Sequence, residues 1–165
     1  MTLAHPWYAV WTRSRHEQAV RKQLEEKGYE TFLPTVTRLS RWKDRKKAVD
    51  WPLFPGYCFA RFHSSDRIRV LTCIGAVSVV GFAGEITPIP DDEIEAIRRL
   101  IATHLPYDRT PLLREGMTVE VTRGPLRGLS GRLVRKGSQD RLILAVNLIG
   151  QGVSVDIDAA DVRAL

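Results

Sequence analysis

One short stretch, residues 119–134, constrains the fold of this chain more than any other. Its sequence is VEVTRGPLRGLSGRLV, with alternating apolar residues on both sides of a glycine-rich turn. Pro125 presets φ and Gly124 tolerates a positive φ, so the pair turns the chain. Gly128 and Gly131 allow backbone to pass close to backbone where a side chain would clash. The pattern predicts two strands of a small barrel.

The rest of the second half also has the pattern of strands. Strands are expected at residues 118–122, 131–135, 141–147, 153–157 and 162–164. Five short strands with closely spaced turns are typical of a small barrel. Their β-branched residues and interspersed glycines disfavour a helical alternative. The preceding segment, 105–113, contains Pro106 and Pro111 and is predicted to be a linker.

The first half mixes strand and helix patterns. Strands are expected at 7–11, 29–33, 49–53, 57–62 and 76–82, a short extended piece at 86–89, and helices at 15–27, near 66–72 and at 91–103. Ser14 and Glu17 have the spacing of a capping box for the first helix, and Gly28 suits its end. This order predicts an α+β fold with a mostly antiparallel sheet flanked by helices.

Composition narrows the class of protein. The chain has 165 residues, 44% of them hydrophobic, and a net charge of +6, which favours polyanionic partners. Two cysteines and four scattered histidines do not have the spacing of a metal site or a disulfide framework. We find no signal peptide, no apolar run of bilayer length and no catalytic, cofactor or phosphate-loop motif. The sequence therefore predicts a cytoplasmic protein that is not an enzyme and needs no cofactor.

A basic segment at residues 37–48 is the densest cluster of charge. It is expected to be a loop with a local charge of +5, and its candidate nucleic-acid-binding residues are Arg38, Arg41, Trp42, Lys43, Arg45, Lys46 and Lys47. Cations gain affinity for phosphates by releasing counterions, and an aromatic ring can stack on an unpaired base. The alternative is a solvated loop with no partner.

Several motifs in order resemble one family. Phe54-Pro55-Gly56-Tyr57 enters an apolar strand, W-Y-x-V opens the chain at Trp7, and the G-P-L-x-G-x-x-G spacing in the second half resembles a KOW motif. Together they resemble the NusG family over nearly the whole chain. The resemblance implies a NusG N-terminal-like domain at 1–104, a linker at 105–113 and an SH3-like KOW barrel at 114–165.

The resemblance also implies a function. Such proteins are transcription elongation factors that bind RNA polymerase, suppress pausing and modulate termination or antitermination. An apolar patch docks on the clamp helices of the β′ subunit and the domain reaches toward the β subunit; the matching positions here are Tyr8, Phe54 and Tyr57. The basic loop, with Arg13 and Arg15 near the first helix, would lie near upstream DNA and the non-template strand.

One position departs from the family pattern. The relatives carry a Phe before a Gly in a loop of the KOW barrel that binds the termination factor Rho and a small-subunit ribosomal protein. Ile149 takes that place here, which keeps an apolar anchor of another shape. We therefore expect a specialised antiterminating paralogue, with a housekeeping factor that recruits Rho, or a ribosome-associated or RNA-binding KOW protein, as alternatives.

Overall fold

A computed structural model describes residues 4–42, 45–111 and 116–165. The chain divides into two compact units, Met1–Ile89 and Pro90–Leu165. The expected domain boundary followed residue 104, so the division lies one helix earlier than the sequence predicts.

The described residues of the first unit form eight strands and two helices. In chain order they are β1 (Trp7–Thr12), α1 (Glu17–Glu26), β2 (Glu30–Phe32), β3 (Thr35–Trp42), β4 (Arg45–Pro52), β5 (Tyr57–Arg61), α2 (Arg67–Leu71), β6 (Ala76–Val79), β7 (Gly81–Phe82) and β8 (Glu85–Ile86). Four strands form an antiparallel sheet in the order β2-β5-β1-β6. The hairpins β3–β4 and β7–β8 are separate two-stranded ribbons. The predicted α+β class is confirmed.

One face of the four-stranded sheet packs against α1 and α2. Val20 and Leu24 of α1 join Val10, Cys58 and Phe62 in a common buried core. Their spacing of four residues places both apolar side chains on one side of the helix. Burying each such side chain contributes on the order of 2 kcal/mol. This core holds the helices against one face of the sheet.

The predicted capping box of α1 is wrong. The helix begins at Glu17 and is preceded by His16, which makes no capping hydrogen bond with its side chain. Arg15 has a φ of 63°, and the His16 imidazole Nδ1 lies 2.9 Å from the Ser14 carbonyl. This tight turn moves Ser14 out of the N-cap position. At the other end, Gly28 has a φ of 89°, as its predicted role requires.

The predicted basic loop at 37–48 is also wrong, because residues 37–42 belong to β3 and residues 45–48 to β4. The two strands pair continuously from Thr35 opposite Pro52 to Trp42 opposite Arg45. Lys43, one of the candidate nucleic-acid-binding residues, lies outside the described residues. The hairpin lacks a regular apolar alternation, because a two-stranded ribbon need not bury one of its faces.

In the second unit, the described residues form one helix and a six-stranded antiparallel sheet. Its elements are α3 (Asp91–Thr103), β9 (Tyr107–Pro111), β10 (Met117–Val121), β11 (Ser130–Lys136), β12 (Gln139–Val146), β13 (Gln151–Asp156) and β14 (Val162–Ala164), and the strand order is β14-β10-β11-β12-β13-β9. The five predicted strands of this half are confirmed. The predicted linker is wrong over Tyr107–Pro111, because β9 pairs with β13 along its whole length.

The glycine-rich motif builds the close approach between β11 and β12. A Cβ atom on Gly131 would lie 2.4 Å from the Ile143 carbonyl oxygen, too close for any other residue. The neighbouring strands bury Leu142, Leu144 and Val153 completely or nearly so. The glycine is therefore structural, as the spacing predicted.

Side chains of α3 reach the turns of this sheet. The Glu93 carboxylate accepts hydrogen bonds from the Asn147 backbone N–H and side-chain Nδ2, both at 3.0 Å. The Arg99 guanidinium donates to the Pro125 carbonyl at 3.1 Å, inside the glycine-rich turn. These hydrogen bonds connect the helix to two turns of the sheet within the second unit.

Candidate interaction surfaces

The predicted aromatic patch is only partly available to a partner. Tyr8 is 5% exposed and stacks on Phe62 with ring centroids 4.6 Å apart. Phe54 is 2% exposed and meets Phe59 edge-on at 5.9 Å. The expectation that these two rings form an exposed cluster is wrong, because both belong to the core. Tyr57 is the one predicted member that is half-exposed.

A different aromatic residue, Trp11, is exposed beside Tyr57. Trp11 lies opposite Tyr57 on β5 and opposite Ser78 on β6, and 52% of its surface is exposed. The two rings line a cleft of about 440 Å³ together with Arg67, Gly84 and Ile86. A hydrogen bond of 2.8 Å from the Thr12 N–H to the Gly56 carbonyl fixes the end of β1 against the Phe54–Tyr57 turn. The cleft thus combines two aromatic rings with polar groups, among them Arg67 and Glu85, beside a strand that pairs with neighbours on both sides.

The β7–β8 hairpin beside this cleft presents a second exposed aromatic residue. Phe82 is 81% exposed and pairs with Glu85 across a two-residue turn. Ala83 and Gly84 in that turn have φ values of 55° and 81°, the signs required by a type I′ turn. A Cβ on Gly81 would lie 1.8 Å from the Glu85 carbonyl oxygen, so the hairpin requires glycine there. Phe82 is not among the site residues predicted from sequence; the Gly-Phe-Ala-Gly run is the signal that indicates an exposed tight turn.

The β3–β4 hairpin brings the predicted basic residues into register. Arg41 pairs with Lys46, Trp42 with Arg45, Ser40 with Lys47 and Arg38 with Val49. Cations directly opposite one another destabilise a strand pair unless a counter-charge lies nearby. Closer to the base, the Thr37 hydroxyl donates to the Asp50 carboxylate at 2.6 Å, and Trp51 is 51% exposed. The cationic part of the ribbon is therefore its outer part.

Arg13 and Arg15 lie in the tight turn before α1, and both are exposed. The Arg13 N–H donates to the Gly75 carbonyl at 2.8 Å. A Cβ on Gly75 would lie 2.7 Å from the His16 Cβ, so the turn and the loop before β6 are closely packed. The structure thus holds the backbone of both arginines in place while leaving their charges in solvent.

Ile149 ends a short 3-10 turn, Asn147–Ile149, between β12 and β13. Gly150 follows with a φ of 65°, and Ile149 itself is half-buried. The two hydrogen bonds from Asn147 to Glu93 hold the start of this turn. Ile149 is consequently presented on a fixed turn.

The described residues offer no other chemical centre. Burial raises the pKa of the Cys58 thiol to about 12, which keeps it protonated and unreactive. Among residues 4–42, 45–111 and 116–165, no three histidine, cysteine or carboxylate side chains are grouped as metal ligands. Within the same ranges, no helix has the length and apolar character needed to cross a membrane.

Comparison with known proteins points to a single family. A family model described as "NusG: Transcription termination factor nusG" matches residues 5–98. The "Transcription termination/antitermination protein NusG" of Campylobacter jejuni is 24% identical over 93% of both chains. The Bacillus subtilis protein of the same name is 26% identical and covers 96% of this chain and 98% of its own length. A solved structure described as "Domain interaction in Thermotoga maritima NusG" is 20% identical over 97% of both chains, with a TM-score of 0.49.

Proposed function

This chain belongs to the NusG family of transcription termination factors, and we propose that it binds RNA polymerase through the cleft formed by Trp11 and Tyr57. The observation that carries the proposal is the exposure of Trp11, 52% of whose surface is open to solvent on a rigid sheet. Large aromatic rings bury much area with few rotatable bonds, so they are effective anchors in protein interfaces. The Phe82 side chain on the adjacent hairpin extends the same aromatic surface.

The partner that fits this cleft is an amphipathic helical surface, as on the clamp helices of the β′ subunit. An apolar helix stripe would cover the two rings, and the exposed Arg67 at the rim would meet acidic residues beside the stripe. From there the domain would extend toward the β subunit.

Binding that prefers the pause-free state of the polymerase shifts the population of the polymerase toward that state. The protein would thus suppress pausing without performing catalysis of its own, in the cytoplasm.

The outer part of the β3–β4 hairpin is proposed to contact nucleic acid near the transcription bubble. Its paired cations gain stability when phosphates approach, since this relieves their mutual repulsion. Arg13 and Arg15 would add contacts from the turn before α1. The candidate ligands are upstream DNA and the displaced non-template strand.

The Ile149 turn is proposed to bind a further protein partner, with Rho and a small-subunit ribosomal protein as the two candidates. Isoleucine is branched at Cβ and lacks a ring, so it fits a shallower pocket than phenylalanine. This favours a specialised antiterminating factor over a housekeeping one. A Rho-dependent termination assay separates the two, because only the housekeeping factor would increase termination.

The polymerase proposal is tested by retention of core enzyme on the immobilised chain. We expect the Trp11→Ala/Tyr57→Ala variant to lose at least tenfold in affinity, as hot-spot aromatics cost about 2 kcal/mol or more each. The control is Trp51→Ala, which removes a tryptophan of nearly equal exposure, 51%, from outside the cleft. Equal retention by the double variant and this control would refute the assignment of the cleft.

A further inference from the structure

We propose that the outer edge of β13 is a binding site for an extended peptide segment of a partner protein that carries a carboxylate, and that β9 occupies this edge in the free chain. The site is separate from the Trp11 cleft, the basic hairpin and the Ile149 turn. A test of this site therefore does not depend on whether the Trp11 cleft binds polymerase.

The backbone register defines the site. β9 runs antiparallel to β13 from Tyr107 opposite Val155 to Pro111 opposite Gln151. Within the described part of the chain, β9 is the outermost strand of the sheet and pairs with β13 alone. If β9 leaves, β13 presents a row of unpaired N–H and C=O groups. Such an edge readily accepts another strand.

Arg141 gives this edge its charge preference. Its side chain is 15% exposed, and its guanidinium meets Asp108 of β9 and Asp156 of β13, each at 2.9 Å. It also donates to the Ser154 hydroxyl at 3.2 Å and to the Ser154 carbonyl at 3.1 Å. Departure of β9 removes one of the two carboxylates from a largely buried cation. The vacated edge therefore favours a strand that brings a replacement carboxylate.

β9 is held in the sheet more weakly than β13, the strand with which it pairs. Asp108 and Arg109 are exposed, and the strand ends at a proline, so its composition suits an edge rather than an interior strand. Tyr107, the one aromatic residue of this strand, is half-buried. Val153 and Val155 of β13, by contrast, are buried. Local opening takes place first where few apolar groups are buried, so β9 can detach while β12 and β13 stay paired.

The sequence of β9 indicates what would replace it. An incoming strand would run antiparallel to β13, with an aromatic residue opposite Val155 and an aspartate or glutamate opposite Ser154. Both positions copy the register of Tyr107 and Asp108. The ligand class is thus an extended protein segment with an aromatic residue followed by an acidic one.

The test uses the full chain and a fluorescent peptide with the sequence of residues 104–111, HLPYDRTP. The Tyr107→Ala/Asp108→Asn variant weakens the hold of β9, so the peptide is expected to bind it at least tenfold more tightly than it binds the unmodified chain. A second peptide, in which asparagine replaces the aspartate, is expected to bind this variant at least tenfold more weakly. Arg109→Ala is the matched control, because it alters an exposed residue of the same strand and should behave like the unmodified chain.

Hydrogen exchange on the same proteins supplies an independent measurement. Amides of residues 107–110 should exchange at least tenfold faster than those of residues 142–146 in the unmodified chain. Protection of 142–146 in the double variant verifies that its sheet is intact. Equal peptide affinity for the variant and the unmodified chain, no preference for aspartate over asparagine, or no binding to the intact variant at about 1 mM peptide would each overturn the proposal.

Discussion

Cys58 links the stability of the first unit to alkaline pH. Burial raises its thiol pKa from 9.0 to about 12, so the folded state holds the proton more tightly than the unfolded chain does. The resulting stabilisation is fully present below pH 9 and is lost as pH rises toward 12. We expect the free energy of unfolding to fall in this interval by at most about 1.4 kcal/mol per pH unit from this group.

The measurement is urea unfolding between pH 8 and 11, a range that begins below pH 9 and extends into the interval in which the thiol acts. Cys58→Ala removes the titrating group, so its unfolding free energy should fall less steeply with pH than that of the unmodified chain. Parallel slopes for the two proteins would show that the thiol is not responsible.

Single residues also show where sequence reasoning reaches its limit. The pattern W-Y-x-V correctly predicted a strand, but four successive residues, Trp7 to Val10, are buried because both faces of β1 are covered. Trp11 is exposed although Thr12, the last residue of that strand, is 3% exposed, since successive side chains of a strand point to opposite faces. A motif match identifies which aromatics belong together, whereas packing decides which of them reach solvent. For this reason Tyr8 and Phe54 were assigned to the surface and Trp11 was overlooked.

At the scale of elements, the β7–β8 hairpin depends on one glycine. Gly81→Ala would bring a Cβ within 1.8 Å of the Glu85 carbonyl oxygen, so the strands must separate. We expect a loss of about 1–3 kcal/mol in stability, by analogy with overpacked sites, and weaker binding of polymerase as Phe82 loses its position. Ala83→Asn is the matched change, because asparagine suits the φ of 55° and should leave stability equal or slightly higher. Chemical unfolding of both variants provides the comparison, and equal loss in the two would contradict this account.

The β3–β4 hairpin leads to a prediction about salt. Lys46→Gln/Lys47→Gln removes two cations from its outer part, so the slope of log affinity against log salt should fall by about 1.8 on duplex DNA and about 1.4 on single strands. Filter binding or fluorescence anisotropy at several salt concentrations measures this slope. Lys22→Gln/Lys136→Gln changes the net charge equally at exposed positions elsewhere and should leave the slope unchanged. A similar decrease of the slope in both double variants would show that the overall charge of the chain, and not the hairpin, determines the salt dependence.

Elements with a buried face were predictable, and those without one were not. The predicted bounds of α3, 91–103, agree with the structure because acidic residues begin the helix and apolar residues line one side. The hairpin β3–β4 and the strand β9 were missed. Both are held largely by backbone pairing, which leaves little trace in a pattern of apolar residues.

For the whole molecule, the division into units predicts which fragments are stable. A fragment of residues 90–165 keeps α3 and β9 with their sheet, including the bonds from Glu93 and Arg99. A fragment of residues 114–165 loses them. We expect the longer fragment to melt at least about 5 °C higher, since 1 kcal/mol corresponds to roughly 4–8 °C in a unit of this size. Calorimetry of both fragments measures the difference, and equal melting temperatures would contradict it.

The family could be identified from the order of motifs, since strand, turn and glycine spacings are local in sequence. The boundary between the two units after Ile89 could not be predicted, because it depends on which side chains of α3 contact turns that are distant in sequence. Asn147 and Pro125 lie 54 and 26 residues from their partners on that helix. Contacts between residues so far apart in sequence are decided by the folded chain.

The distribution of aromatic residues makes this protein its own spectroscopic probe. All four tryptophans lie before residue 52, whereas Tyr107 is the one tyrosine after residue 57. Emission excited at the red edge of the indole band therefore reports on the first unit alone, and its Trp11 component would shift when the cleft is filled. In a fragment of residues 90–165, tyrosine emission would arise entirely from the ring that anchors β9. The first unit can thus be followed in the intact chain, and the second in its own fragment, without attaching a dye to either.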